Sequence, residues 1–267
     1  MNKIGVLQGR LTPSDGRGIQ FFPYENWENE FKDAHEIGFD CIELLVKKGE
    51  FNKNPLSSPP GIRRINELKK EFGVGTPSVH GFYSKENEYS EILREIIEAA
   101  HRVGAEVVLI SFFEENELIT ENDKSLARSR LKEPLELAER YGIRLGVETE
   151  MPAEELKSFI DSFKHSAIGV YYDTGNIVSM GVDVVKEIRF LQGNICGVHL
   201  KDRKIRGESV PLGSGGANFQ AILKILKETG YNGPLIIQGA RKEGMNDIEL
   251  NKEYLEYIRN CSVDGLL

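Results

Sequence analysis

Ile143-Arg144-Leu145-Gly146-Val147-Glu148-Thr149-Glu150, followed at once by a stretch of helical period from Pro152 to Phe163, is the passage that decides how this chain folds. Alternate residues over its first five positions are aliphatic (Ile143, Leu145, Val147), the period of a strand with one face against a helix layer. The other face carries Arg144, Gly146, Glu148 and Glu150. The same strand-then-helix unit recurs in both directions. Downstream, Ile168 to Asp173 precedes a less regular helical segment from Thr174 to Leu191, Ile195 to Leu200 precedes Phe219 to Thr229, and Pro234 to Gln238 precedes Asp247 to Ile258. Upstream, Ile4 to Gln8 pairs with Glu25 to Ile37, Cys41 to Leu45 with Pro60 to Phe72, Val74 to His80 with Tyr89 to Val103, and Glu106 to Ser111 with Lys124 to Tyr141. Alternating units of this kind build a parallel sheet with helices outside it. Eight of them in 267 residues predict an α/β fold, a closed (β/α)8 TIM barrel, as one domain over residues 1–267. An open doubly wound sheet is the alternative, but Leu7-Gln8-Gly9-Arg10 after the first strand lacks a glycine-rich nucleotide fingerprint.

Composition narrows the partners. With 34 basic and 42 acidic residues the formal charge is −8, against a general nucleic-acid binder. The longest apolar run, Val107 to Phe113, is broken by Ser111 and falls well short of the roughly 18 residues of a membrane span. The apolar patch after Met1 is too short for a signal-peptide core. Cys41, Cys196 and Cys261 are odd in number and far apart, which suits a reduced compartment without disulfides. The expectation is a cytoplasmic protein that acts on a small molecule, without a nucleic-acid or membrane partner; homo-oligomer formation is left open.

Period two also sorts the candidate site. In the sixth strand Ile168, Val170 and Tyr172 point to the helices, while Gly169, Tyr171 and Asp173 point inward. In the seventh, Cys196, Val198 and Leu200 are expected outside and Gly197, His199 and Lys201 inside; in the eighth, Ile236 and Gln238 face in. Polar residues therefore gather inward at the carboxyl ends of consecutive strands, the end where barrel enzymes build active sites. Singly each has a plain structural explanation. Glu148 fits a solvated rim, Asp173 fits a cap for the helix after it, and His199 fits a hydrogen-bonded core histidine. Together, two carboxylates and an imidazole form a ligand set for Mn²⁺, Co²⁺, Mg²⁺ or Zn²⁺. His80 and Glu43 are inward on the third and second strands and read as substrate contacts, while Lys201 and Asp202 follow His199 as candidates for orienting ligand or substrate. The aromatics Phe21, Phe22, Tyr24 and Trp27 read either as packing of the first loop or as a cover for a site.

The segments Gly146-Val147-Glu148, Tyr171-Tyr172-Asp173-Thr174-Gly175-Asn176, Gly197-Val198-His199-Leu200-Lys201-Asp202, the loop Pro211 to Gly215 and the strand ending at Gln238 resemble the sugar-phosphate isomerase/epimerase superfamily, the xylose-isomerase-like TIM barrels. The resemblance spans essentially the whole chain. It implies a divalent metal held by one residue from each of the last four strands, which map onto Glu148, Asp173, His199 and, where the family has a final Glu, Gln238. An amide oxygen still ligates a hard cation but takes up no proton, so the two-carboxylate epimerase scheme loses one partner here.

The implied activity is a metal-dependent isomerase or epimerase of a small sugar or hydroxy-ketone, with Glu148 moving a proton through a metal-stabilised enediolate and Glu150 as an alternative base. Lys201, Arg203, Asn176 and His80 are the implied substrate contacts. A lyase (dehydratase) on the same scaffold and a sugar- or metal-binding barrel without catalysis are the alternatives. Asn176 stands where related DNA-repair nucleases place a histidine, against that branch. The glycines from Gly213 to Gly216 read either as a phosphate cradle or as a rim turn.

Overall fold

The computed structural model describes residues 2–262. Eight parallel strands close into a barrel: β1 (Ile4–Leu7), β2 (Cys41–Leu45), β3 (Ser78–His80), β4 (Val107–Ser111), β5 (Arg144–Glu148), β6 (Ile168–Asp173), β7 (Ile195–Leu200) and β10 (Leu235–Ile237), the last pairing with both β1 and β7. A short antiparallel pair, β8 (Asp202–Arg203) and β9 (Ser209–Val210), stands on the loop after β7. Around the barrel run α1 (Asn29–Ile37), α2 (Pro59–Phe72), α3 (Tyr89–Arg102), α4 (Glu121–Tyr141), α5 (Ala153–Ser162), α6 (Thr174–Ser179), α7 (Val184–Leu191), α8 (Phe219–Glu228) and α9 (Asp247–Cys261). The irregular stretch after β6 is thus two helices, with α7 capped by Asp183. The third strand is shorter than its apolar run suggests, because Val74 and Gly75 precede Pro77, which has no amide hydrogen for a ladder. No helix among the described residues is long and apolar enough to cross a membrane.

Two apolar layers follow from the strand period. The larger lies between strands and helices and contains Leu145, Val147, Val170, Tyr172, Val198, Leu235 and Ile237. The smaller fills the barrel interior, with Leu7, Cys41, Leu45 and Ile236 in one group and Val107, Leu109, Tyr171 and Cys196 in another. Cys196 therefore points inward, where strict alternation along β7 put it outside. The cause is a register shift: Val170 pairs with Ile195 but Tyr171 pairs with Gly197, so one residue of β7 is extra. Phe22 packs with the interior group and Trp27 lies against it, so these aromatics anchor the first loop to the barrel.

The Tyr171 ring, packed with Cys196 inside the barrel, has its space from two glycines. A Cβ on Gly197 would lie 2.2 Å from that ring, and one on Gly146 would lie 3.0 Å from both the Tyr171 Cβ and the Cys196 sulfur. Only glycine leaves the space on both sides of the tyrosine. Cys41, Cys196 and Cys261 are free thiols.

Candidate active site and metal centre

His199 is the hub, fully buried at the end of β7. Its Nδ1 lies 3.1 Å from Oε1 of Glu148 and 3.8 Å from Oδ2 of Asp173, the final residues of the two preceding strands. Its Nε2 lies 2.7 Å from Oε1 of Glu43 on β2. The other Glu43 oxygen accepts from Ser78 Oγ at 2.5 Å and from the Tyr171 hydroxyl. Both donors come from inward positions of β3 and β6, and Tyr171 reaches Glu43 through the space the two glycines leave. A fully buried carboxylate is tolerable only with such partners.

The electrostatics follow. Burial works against charge on His199, but the Glu43 and Glu148 carboxylates outweigh it and hold its pKa up at about 10. Burial also pushes the Glu43 and Glu148 carboxyls up; attraction and hydrogen bonding from His199 reverse this and leave both below the usual carboxylate range. Asp173 stays raised, because Lys201 and His199 only partly offset its burial and the repulsion from Glu148. Its Oδ1 caps α6 by accepting from the Asn176 amide at 2.8 Å. Its Oδ2 is buried without a hydrogen-bond partner, and the Lys201 ammonium stands 3.5 Å away. Helix capping and site duty are thus divided between the two oxygens of one side chain.

A second set of groups at the mouth is uncharged. Gln238, which follows β10, is buried; its Nε2 donates to Gln20 Oε1 at 3.3 Å, and its own Oε1 is buried and unpartnered. Gln20 lies in the loop between β1 and α1, and its Nε2 is 3.3 Å from Nε2 of His80. The His80 Nδ1 lies 3.1 Å from the Gly81 carbonyl, the His80 ring stacks on His199 with centroids 5.5 Å apart, and burial keeps its pKa below the usual histidine value. Among the described residues, His80, Glu148 and His199 each offer one ligand atom within 4.8 Å of the others.

Over this floor opens a pocket lined by Gln20, His80, Ser111, Phe113, Glu114, Glu148, Glu150, Asn176, Lys201 and Gln238. Asn176 Oδ1 accepts from Lys201 Nζ at 3.1 Å and from Arg203 Nη1 at 3.2 Å, and Arg203 also holds Glu150 at 2.7 Å. Glu43 does not line the pocket; it lies at hydrogen-bond distance from His199, Ser78 and Tyr171. The glycine loop has a definite partner: Asp202, fully buried, accepts from the amides of Gly213, Gly215 and Ala217 at 3.0, 2.8 and 3.0 Å. Those amides are already satisfied by a carboxylate of the chain.

The donor set fits a hard divalent cation. Oxygens of Glu148 and Asp173 lie 3.1 and 3.8 Å from His199 Nδ1, and His80 joins Glu148 and His199 in the group whose ligand atoms are mutually within 4.8 Å. Nε2 is the nitrogen that Glu43 holds, and two buried oxygens, Asp173 Oδ2 and Gln238 Oε1, have no hydrogen-bond partner. Gln20, Ser78, Ser111 and Glu114 escaped the sequence reading. Ser78 shares the inward phase of His80 and was recoverable from it; Gln20 sits in an aperiodic loop that offers no phase at all.

A closed eight-stranded barrel with carboxylates and an imidazole at one mouth defines a barrel protein with a candidate metal site. Residues 31–261 match the family described as xylose isomerase-like TIM barrel, and the chain belongs to it. It is 27% identical over 234 residues to L-ribulose-5-phosphate 3-epimerase UlaE of Escherichia coli O1:K1, covering 80% of this chain and 82% of that protein. Among solved structures it resembles a D-tagatose 3-epimerase-like protein (25% identity, TM-score 0.71, 97% of this chain and 98% of that one). In fold it also resembles a xylose isomerase-like TIM barrel protein from Mycobacterium smegmatis in complex with magnesium (18% identity, TM-score 0.70, 98% of each chain).

Proposed function

We propose that this protein is a divalent-metal-dependent isomerase or epimerase of a small keto-sugar. The observation that carries the reading is the placement of Glu148 and Asp173 oxygens 3.1 and 3.8 Å from His199 Nδ1, with the buried, unpartnered oxygen of Gln238 on a residue that lines the same pocket as Glu148. The names of the relatives, sugar epimerases of the same family, support it. Glu148, Asp173, His199 and Gln238 would hold the cation. When bound, the cation would act as a Lewis acid on the substrate carbonyl and acidify the neighbouring C–H.

The chain's own residues supply the rest. Glu148 lines the pocket and, held below the usual carboxylate range, is ionised at neutral pH and able to accept a carbon-bound proton. Glu43 accepts at Nε2 and so directs Nδ1 toward the carboxylates. Asn176 and Lys201 line the pocket beside Glu150 and present hydrogen-bonding groups for substrate hydroxyls, and Arg203 keeps Glu150 and Asn176 in place. Because the Gln238 amide takes up no proton, the donor set favours transfer by one base on one face. Glu148 takes the proton from one carbon and returns it to its neighbour, which is aldose–ketose isomerisation, whereas inversion at a single carbon needs a second proton donor on the other face.

The test is proton exchange in D2O. Chain loaded with Mn²⁺ and offered a panel of ketopentoses and ketohexoses, free and 5-phosphorylated, is expected to place deuterium on the carbon beside a carbonyl of at least one, followed by NMR. Glu148→Gln is expected to lower that rate at least about 100-fold, the scale of a lost acid–base group. No exchange with any of the panel would contradict an enzyme of this class.

A further inference from the structure

We propose that Gln20 is a positioning residue that turns the Gln238 amide so that its oxygen, not its nitrogen, faces the metal centre. The inference rests on the metal site proposed above. A carboxylate at position 238 would present an oxygen whichever way it turned. A carboxamide has one oxygen and one NH2, and only the oxygen ligates a cation, so an amide here needs something to fix its orientation.

Gln20 meets that need. Its Oε1 accepts from Gln238 Nε2 at 3.3 Å, which occupies the NH2 end and leaves Gln238 Oε1 buried and unpartnered. The polarity of the chain of contacts is self-consistent. Gln20 Nε2 donates at 3.3 Å to His80 Nε2, which must then be an acceptor, and His80 Nδ1 is correspondingly placed to donate to the Gly81 carbonyl at 3.1 Å. With His80 fixed as acceptor, Gln20 cannot turn over without setting NH2 against NH2 at Gln238.

The loop holds Gln20 from both sides. Arg10 donates to the Ile19 carbonyl at 2.5 Å, and Phe21 is buried with the Arg241 guanidinium over its ring. Arg241 also donates to the Gly9 and Thr12 carbonyls at 2.7 and 3.0 Å, and buried Glu30 accepts from the Gly9 and Leu11 amides and the Thr12 hydroxyl. Gln20 itself is only partly buried, so its replacement leaves the core untouched.

The experiment is a double-mutant cycle in Mn²⁺ affinity, measured by calorimetry on full-length, chelator-treated protein: wild type, Gln20→Ala, Gln238→Glu and the double variant, each checked by thermal unfolding. Gln20→Ala is expected to weaken Mn²⁺ about 10-fold where Gln238 is present, the scale for lost support of a metal ligand. In the Gln238→Glu background it is expected to change affinity less than about 2-fold. Equal losses in both backgrounds, or none in either, would overturn the inference while leaving the metal site standing. Failure of the wild type to bind Mn²⁺ would overturn the metal site and the inference with it. If Gln238→Glu does not fold, Gln20→Leu and Gln20→Glu in the wild-type background decide. The first should weaken Mn²⁺ and the second, which keeps the acceptor for Gln238 Nε2, should not; weakening by both would overturn the proposal.

Discussion

The two halves of the barrel mouth are built on different principles. On the β5–β7 side Glu148, Asp173 and His199 are charged, come from the ends of long strands, and are balanced through Glu43 and Lys201. Across the mouth from β10 to β3, Gln238, Gln20 and His80 form a neutral chain whose polarity, not charge, decides which atom faces the centre. A charged ligand set is tuned by its counter-charges; an amide ligand must be aimed. The contrast predicts that removing a counter-charge disturbs the first half strongly and that removing an aiming group disturbs the second half modestly.

The largest effect should come from Glu43. Glu43→Gln keeps an acceptor for Nε2 but removes the charge that holds His199, and should weaken Mn²⁺ 10- to 100-fold, the range for partners of a metal-bound histidine. Calorimetry on the metal-free variant reads it; an unchanged affinity would put the two halves on the same footing. The Gln20→Ala effect of about 10-fold ranks next.

A smaller, signed effect concerns protons. The His199 pKa is raised from 6.5 to about 10 in the fold, burial opposing and the Glu43 and Glu148 carboxylates outweighing it. Stability from this group is thus fully present below pH 6.5 and is lost as pH rises through about 10. Metal binding at Nδ1 must expel that proton, so titration at pH 8 in buffers of different ionisation enthalpy should show about one proton released per Mn²⁺ bound, with affinity rising with pH. No release would mean the cation leaves His199 protonated.

The same contrast explains what the sequence made legible. The barrel is readable because eight aliphatic runs alternate with helical stretches, and the phases of β5 and β6 place Glu148, Tyr171 and Asp173 on the inner face. His199 is readable too, although strict alternation puts Cys196, three residues earlier on the same strand, on the outer face, whereas it lies inside the barrel. A one-residue register shift between Val170 and Tyr171 leaves no mark in the hydrophobic pattern when the residues concerned are apolar on both sides. Glu43 was recognised as inward, but its role toward His199 depends on a contact across 156 positions that no local pattern encodes. Gln20 was invisible for a different reason. Its place is set by Arg10, Arg241 and Glu30 clamping an aperiodic loop, and loops carry no period to read.

The most direct test of the central claim, a four-strand metal centre with an amide as its fourth ligand, is the anomalous difference map of a crystal grown with Mn²⁺. The account predicts one strong peak within coordination distance of His199 Nδ1, Glu148, Asp173 and the oxygen of Gln238. A peak held by His80 and Glu148 without Asp173 or Gln238, or no peak in the barrel mouth, would contradict it.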